Sequence, residues 1–407
     1  MKKYGIIGGG PAGYTAGMML ASLGNEVVLF EKDKLGGTCL NKGCIPTKSF
    51  LHSSALYAEL KNNTCGIESE NIKFDFSKVV EKKVQTVEKV RKSLELAVKN
   101  SGVKTIYSEA CVKDKNTVFA NGEEYKFDKI ILATGAKPRV IKGLEFDGDF
   151  ILSSDDILEL KTLPKSILIV GSGAIGIEWA RILSDFDVEV TIVEMAEHLV
   201  PLADIEVSKR IERIFKQRKI KFYLSDCVEK IDNKQVVLKS GNILNPEKIL
   251  VAVGRVPVCP ACECETILGD ACGEIQLAHF AIHQAKQEAL GIPFDKTLVP
   301  AVIYGEPEIA WVGLREQDTD ETYQKITLPV TALGKAWCDD ATEGFIKLIT
   351  QDGKIKGAHI VSKEASSLIH TVLVAIQNGV GIDELKASCF AHPTYSEGLF
   401  DAIMRLQ

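Results

Sequence analysis

Residues Tyr4 to Glu31, YGIIGGGPAGYTAGMMLASLGNEVVLFE, decide the fold. Tyr4 to Gly8 has the short apolar run of a buried strand, a glycine turn follows, Tyr14 to Ser22 has helical spacing, and Val27 to Phe30 is a second buried strand. The unit is therefore strand, glycine turn, helix, strand. It recurs at Ser166 to Glu194, SILIVGSGAIGIEWARILSDFDVEVTIVE. Gly8, Gly10, Gly13 and Glu31 map onto Gly171, Gly173, Gly176 and Glu194, each displaced by 163 positions. Such register marks an internal repeat.

One GxGxxG turn is a weak signal, because packing alone also puts glycine between a strand and a helix. Here each turn follows a strand and opens a helix, and a glutamate ends the next strand 23 residues after the first glycine. That arrangement lets helix amides hold a pyrophosphate while the carboxylate takes ribose hydroxyls. Two units imply two dinucleotides; the opposing reading is a duplicated scaffold with one dead site. Glu194 would repel a 2′-phosphate, and Met195 and Ala196 offer no arginine to receive one, so NAD is favoured over NADP.

The rest of the 407-residue chain is long enough for two or three domains. A helix is expected at about residues 49 to 61. Another from about Phe76 to Asn100 carries Val79, Val80, Val84, Val87, Val90 and Leu94, which should pack on a sheet. A strand from Lys129 to Thr134 stops at Gly135. From about Asp295 strands such as Ala301 to Ile303, Phe345 to Ile349 and Ala358 to Val361, with a helix from about Ser366 to Asn378, indicate an α+β unit.

Net charge is −6 with the signs mixed, which argues against nucleic acid as a partner. No apolar run approaches a membrane span, and a strand already starts at Tyr4, so a cytoplasmic protein is expected. Eleven cysteines at irregular spacing suit reduced thiols better than a secreted disulfide framework. Cys65, Cys111, Cys227, Cys338 and Cys389 read as ordinary thiols. Cys259, Cys262, Cys264 and Cys272 could supply four thiolates to zinc, but their register matches no known knuckle and no metal is expected. Cys39 and Cys44 differ. They lie in GGTCLNKGCIPTK, directly after Glu31, with Lys42, Lys48 and a coming helix start to favour a thiolate. Buried thiols or an incomplete metal pair is the plainer reading; a reactive pair fits better.

Taken together, GGGPAG, GGTCLNKGCIPTK, the ATG turn at Ala133 to Gly135, GSGAIGIE, VGRVP at Val253 to Pro257 and AHPTYSE near the end resemble dihydrolipoamide dehydrogenase over nearly the whole chain, in collinear order. The resemblance implies an α/β protein with two Rossmann-like dinucleotide-binding domains, for FAD and NAD, and a C-terminal α+β dimerisation domain. It implies an FAD domain at 1–140 and 257–294, an NAD domain at 141–256 and an interface domain at 295–407. Gly8, Gly10, Gly13 and Glu31 would hold the FAD adenosine diphosphate, with Gly135 in the same domain. Asp270 would hold the ribitol, and Lys48 and Glu178 would pair near flavin N5. Gly171, Gly173, Gly176 and Glu194 would bind NAD, and Gly254 in the VGRVP turn would be a cofactor-binding residue as well. Cys44 would contact the flavin, Cys39 would exchange with substrate, and His392 with Glu397 would be the acid–base pair, supplied across a homodimer. Taken alone, a histidine before proline is more often a turn residue. The implied reaction is oxidation of dihydrolipoamide with NAD as acceptor, and the implied partners are lipoyl domains of a multienzyme complex.

The departure from this pattern is local. Gly254 and Asp270 are 16 positions apart, far fewer than in the family, and the segment from Leu277 to Pro300 is short as well. A real loss here would endanger the Asp270 contact and the sheet beneath it. Glutathione-type reductases usually take NADPH, which Glu194 opposes, and the C-terminal DAIMRLQ lacks the extra redox pair of mercuric and large thioredoxin reductases. A flavin-binding subunit without catalysis is the alternative of a different class.

Overall fold

The computed structural model describes residues 1–62, 66–67, 71–259 and 264–406. The first unit runs β1 (Lys3–Ile7), α1 (Pro11–Ser22), β2 (Glu26–Glu31), α2 (Gly37–Lys42), α3 (Cys44–Asn62), α4 (Phe76–Asn100) and β3 (Lys104–Tyr107). An antiparallel meander follows, β4 (Ala110–Asp114), β5 (Thr117–Ala120) and β6 (Glu123–Lys126), and then β7 (Lys129–Leu132). β1 pairs in parallel with β2 on one side and β7 on the other. Ile6, Leu29 and Ile131 in these strands are fully buried, because a parallel sheet is covered on both faces.

A ribbon of β8 (Ala136–Pro138) and a later strand, Arg255–Pro257, carries the chain into and out of the second unit. Gly135 and Gly254 flank this ribbon with φ of 75° and 93°, which glycine adopts at no steric cost. The second unit contains β9 (Ile151–Leu152), β10 (Ser166–Val170), α5 (Ala174–Asp185), β11 (Glu189–Val193), α6 (Ile205–Gln217) and β12 (Lys221–Tyr223). It closes with a meander, β13 (Val228–Asp232), β14 (Gln235–Leu238) and β15 (Ile243–Leu244), followed by β16 (Lys248–Val251), and its sheet has the order β12-β11-β10-β16-β9. The repeat extends to strand pairing: Lys3 faces Glu26 and Ile7 faces Phe30, while Ser166 faces Glu189 and Val170 faces Val193.

After β17 (Arg255–Pro257) the chain returns to the first sheet through β18 (Thr266–Ile267), giving the order β18-β7-β1-β2-β3. The short segment before Asp270 therefore still supplies a fifth strand, and Leu268 N donates to Leu132 O at 2.8 Å. α7 (Ala278–Leu290) then packs on α1. The third unit is an antiparallel sheet, β19 (Ala301–Ile303), β20 (Glu308–Gly313), β21 (Gln324–Pro329), β22 (Phe345–Gln351) and β23 (Lys354–Ser362), ordered β19-β20-β23-β22-β21. Among its helices, α8 (Gly334–Cys338), α9 (Ala365–Gln377), α10 (Ile382–Lys386) and α11 (Glu397–Met404), α9 and α11 lay Leu368, Ile369, Leu399 and Ile403 on the sheet core.

Two expectations change. α4 packs on α3 and α2 along much of its length and meets the core of the first sheet at its C-terminal end, through Leu94 and Val98, while its Val84 and Val90 are 40% exposed. The strands at Phe345 and Ala358 run to Gln351 and back from Lys354, longer than their apolar cores, because they are joined there by a tight turn. Cys65 and Cys262 lie outside the described residues; Cys111, Cys338 and Cys389 are exposed. No described helix is long and apolar enough to cross a membrane.

Candidate active site

Each glycine turn is shaped by close approach of backbone. Gly8 has φ of 105°, and a Cβ there would stand 2.2 Å from Ala133 O; a Cβ on Gly13 would stand 1.8 Å from Gly8 O. In the second unit a Cβ on Gly171 would lie 2.8 Å from Ala252 O, and on Gly176 2.1 Å from Gly171 O. α1 and α5 can therefore dock tightly on their strands only with glycine at these positions. Gly10 and Gly173 cap the two helices without a side-chain hydrogen bond, and neither first turn carries an acidic residue. The helix amides are thus open to an anion.

The acidic residues agree in their bonding as well as their spacing. Glu31 accepts from Gly9 N at 2.7 Å and Asp33 N at 2.8 Å; Glu194 accepts from Ser172 N at 2.8 Å, Ser172 Oγ at 2.7 Å and Ala196 N at 2.9 Å. Both carboxylates are fixed at the lip of their turns. The open helix starts, the glycine cradles and the anchored carboxylates fit one dinucleotide in each unit.

Asp270 stands in the short Gly269–Cys272 turn, where the space for a Cβ on Gly269 is bounded by Ala12 and Ala281, so it is held beside α1. Burial pushes its carboxyl up, opposed by the charge of Arg255. Arg255 was missed by sequence reasoning. Its guanidinium reaches Ser154 Oγ at 3.1 Å and Ala136 O at 2.7 Å, and its buried Nε has no partner among the described residues. A bound acceptor can satisfy that donor.

Cys39 lies within α2, Gly43 breaks the chain, and Cys44 opens the 19-residue α3. The start of a helix favours negative charge on Cys44. Both cysteines are free thiols, and each acts on the ionisation of the other. The Cys39 thiol holds Cys44 down, to about 7, against burial and with help from the Lys48 charge; Cys39 itself is pushed up by Cys44 and by burial. The pair thus divides into a thiolate, Cys44, and a thiol, Cys39. Tyr14 of α1 feels the same two sulfurs, its phenol being pushed up by burial and then by the charges of Cys39 and Cys44. It too was missed; only its place one residue past the glycine turn could have marked it.

Lys48 and Glu178 are brought together from α3 and α5, with Nζ at 2.8 Å from both carboxylate oxygens. The contact is held by packing between the units: Phe50 and Trp179, both buried, place their ring centroids 5.5 Å apart. Burying side chains of this size contributes about 1.5–3 kcal/mol each. Tyr304, just past β19, joins them from the third unit, donating its N–H to Glu178 Oε1 at 3.1 Å with its ring centroid 4.4 Å from Lys48 Nζ.

His392 and Glu397 meet as the sequence suggested, with Nδ1 to Oε1 at 2.8 Å. The amide of Thr394 and then the imidazole hold Glu397 below the usual carboxylate range. The His392 side chain is 77% exposed and bonds to Glu397 rather than to the thiols.

Comparison with known proteins agrees with this geometry. Residues 2–281 match the pyridine nucleotide-disulphide oxidoreductase family, and residues 299–403 match its dimerisation domain. A dihydrolipoyl dehydrogenase of Bacillus subtilis is 32% identical, covering 98% of this chain and 96% of that protein. Dihydrolipoyl dehydrogenase 2 of Haloarcula marismortui is also 32% identical, with 98% and 95% covered. The alignment to the Bacillus protein runs 458 positions, more than this chain's 407, so the relative carries residues that are missing here. Among solved structures, the HOCl-induced flavoprotein disulfide reductase RclA of Escherichia coli superposes with a TM-score of 0.87 at 25% identity, over the whole of both chains. LpdA of Mycobacterium tuberculosis, at 24% identity over the whole of both chains, superposes with a TM-score of 0.93 and speaks for the fold alone. FAD and NAD are the cofactors that go with these matches. A chain matched over both its dinucleotide-binding part and its dimerisation part, with the thiols of Cys39 and Cys44 set at the junction of α2 and α3, belongs to the pyridine nucleotide-disulphide oxidoreductase family.

Proposed function

We propose that the protein is a dihydrolipoyl dehydrogenase, oxidising the dihydrolipoyl dithiol of a multienzyme complex to its cyclic disulfide and reducing NAD. The observation that carries this reading is the asymmetric pair Cys39 and Cys44 beside Lys48, in a chain whose curated relatives are dihydrolipoyl dehydrogenases. The matched dimerisation domain supports a homodimer, and exposed His392 suits a role at the other subunit's site. Lipoyl domains are the proposed partners. The cytoplasm is the proposed location, in keeping with the many free cysteines.

The working cycle starts from the oxidised Cys39–Cys44 disulfide. His392 of the partner subunit takes a proton from one substrate thiol, with Glu397 orienting the imidazole. The resulting thiolate attacks Cys39 Sγ, the Cys39–Cys44 bond breaks, and Cys44 leaves as a thiolate that the Lys48 charge favours, joined by the Cys39 thiol once that is set free. The substrate's second thiol gives its proton to water, which is the one proton of the final balance, and its thiolate attacks the substrate sulfur of the mixed disulfide. Cys39 leaves and takes back the proton held on His392, and the substrate is released as its disulfide. FAD, which the first glycine turn and Glu31 would hold, would supply the route by which the electron pair reaches NAD and the protein disulfide is restored. The balance is dithiol plus NAD giving disulfide, NADH and one proton.

The test is anaerobic mixing of the FAD-loaded dimer with dihydrolipoamide and NAD. NADH should form in step with loss of dithiol, and reduction without NAD should raise a long-wavelength thiolate-to-flavin absorption that Cys44→Ser lacks. FAD binding without that absorption and without NADH would leave the non-catalytic flavin subunit as the better reading.

A further inference from the structure

All three units of the chain meet at one ammonium. Lys48 comes from α3, Glu178 from α5, and Tyr304 from the turn after β19. The two oxygens of Glu178 occupy two of the three donors of Lys48 at 2.8 Å each, and the face of Tyr304, 4.4 Å away, is within cation–π range of the same nitrogen. Tyr304 is anchored independently of its ring, through the backbone N–H that it donates to Glu178.

We propose that Tyr304 is a positioning residue for the redox pair: its ring holds the Lys48 ammonium beside Cys44 and so sets how readily the Cys44 thiolate forms. The inference rests on the dehydrogenase reading above. Lys48 favours the thiolate while Glu178, on the same side, opposes it, so the outcome depends on where the ammonium sits. The Lys48 side chain is 32% exposed and has water as its alternative partner. Without the ring it hydrates, its charge is screened at Cys44, and the opposition of Glu178 remains. The other ionisable neighbours are Cys39 and Tyr14 around the thiolate and Glu308 near the Tyr304 ring. None of them can replace the ammonium, since a thiol, a phenol and a carboxylate carry no positive charge.

The experiment is a pH titration of the thiolate-to-flavin absorption in the two-electron-reduced, FAD-loaded dimer, comparing wild type, Tyr304→Phe and Tyr304→Leu. Tyr304→Phe keeps the π face and should titrate with wild type. Tyr304→Leu keeps the bulk and the backbone anchor but loses the face, and its midpoint should move up by about half a unit to one unit, roughly three- to tenfold in the thiolate equilibrium. An unmoved midpoint in a folded, FAD-loaded Tyr304→Leu dimer overturns the proposal, as does Tyr304→Phe behaving like Tyr304→Leu. Should Tyr304→Leu fail to fold, phenylalanines of increasing ring fluorination at 304 replace it, and a midpoint constant along that series overturns the proposal equally. If wild type itself shows no thiolate absorption, the dehydrogenase reading has failed instead.

Discussion

At the scale of single residues, the division of labour between Cys39 and Cys44 comes from what surrounds each sulfur: the other thiol, the Lys48 charge and burial. The Cys39 thiol lowers Cys44 to about 7, so in the reduced protein the thiolate form should prevail above pH 7 and be lost as pH falls through it. Cys39→Ala removes the donor while burial of Cys44 continues to oppose ionisation. The midpoint of the thiolate absorption should therefore move upward in that variant, read by pH titration of the FAD-loaded protein. Cys39→Ser, whose hydroxyl can still donate, should move it less. At the other end of the chain, His392→Gln should lower kcat with dihydrolipoamide about 10²–10⁴-fold, the usual contribution of a general base. Glu397→Gln should cost about ten- to a hundredfold, because it leaves the base present but less well oriented. Steady-state kinetics on both variants checks the order. Of these residues the cysteines were legible by spacing beside Glu31, whereas His392 and Glu397 stood out only through AHPTYSE. Tyr14, Arg255 and Tyr304 were not legible, because nothing in a sequence says which side chain will stand near a thiol, a carboxylate or an ammonium supplied by residues far away.

At the scale of elements, the glycine turns were the most legible part, because their constraint is local: a backbone oxygen lies where a Cβ would be. The two kinds of glycine in each turn make a prediction that separates folding from binding. Gly176→Ala drives a methyl to 2.1 Å from Gly171 O and should destabilise the second unit. A Cβ on Gly173 has nothing within 4 Å, so Gly173→Ala should fold and melt like wild type. Yet that methyl would stand at the open start of α5, where a pyrophosphate needs the backbone to come close. Gly173→Ala should therefore raise KM for NAD while FAD content is unchanged, as measured by steady-state kinetics and by the flavin spectrum. An unchanged KM would mean that the nucleotide does not approach this turn. The element that sequence patterning misjudged is α4: its valines have helical spacing, but periodicity shows only that one face is apolar, not whether a sheet or another helix covers it.

At the scale of the whole molecule, the second and third units are locked by a buried charge cluster that no pattern in the chain announced. Lys347 lies in FIKLITQ, where strand alternation would send a lysine to solvent, but β22 is covered on both faces and its ammonium is buried. Lys347 Nζ lies 2.8 Å from Asp204 Oδ1 and 3.3 Å from Glu206 Oε2, and also bonds Glu316. Asp204 in turn caps α6 by accepting from Glu206 N at 2.9 Å and receives Glu316 N at 2.8 Å. Burial pushes the Asp204 carboxyl up, but the ammonium, the amides and His359 outweigh it and hold it below its ordinary range. Its folded-state pKa is thus lower than its unfolded one, so the contribution is present above about pH 4 and is lost as pH falls below it. Lys347→Met should cost about 3–5 kcal/mol in chemical unfolding at neutral pH, because it leaves a buried carboxylate without its cation. Adding Asp204→Asn should recover part of that loss, since it removes the uncompensated charge, although the single amide oxygen can keep only one of the two backbone donors, Glu206 N or Glu316 N. A Lys347→Met protein as stable as wild type would show that the amides alone hold Asp204 and that the lock between the two units is apolar packing.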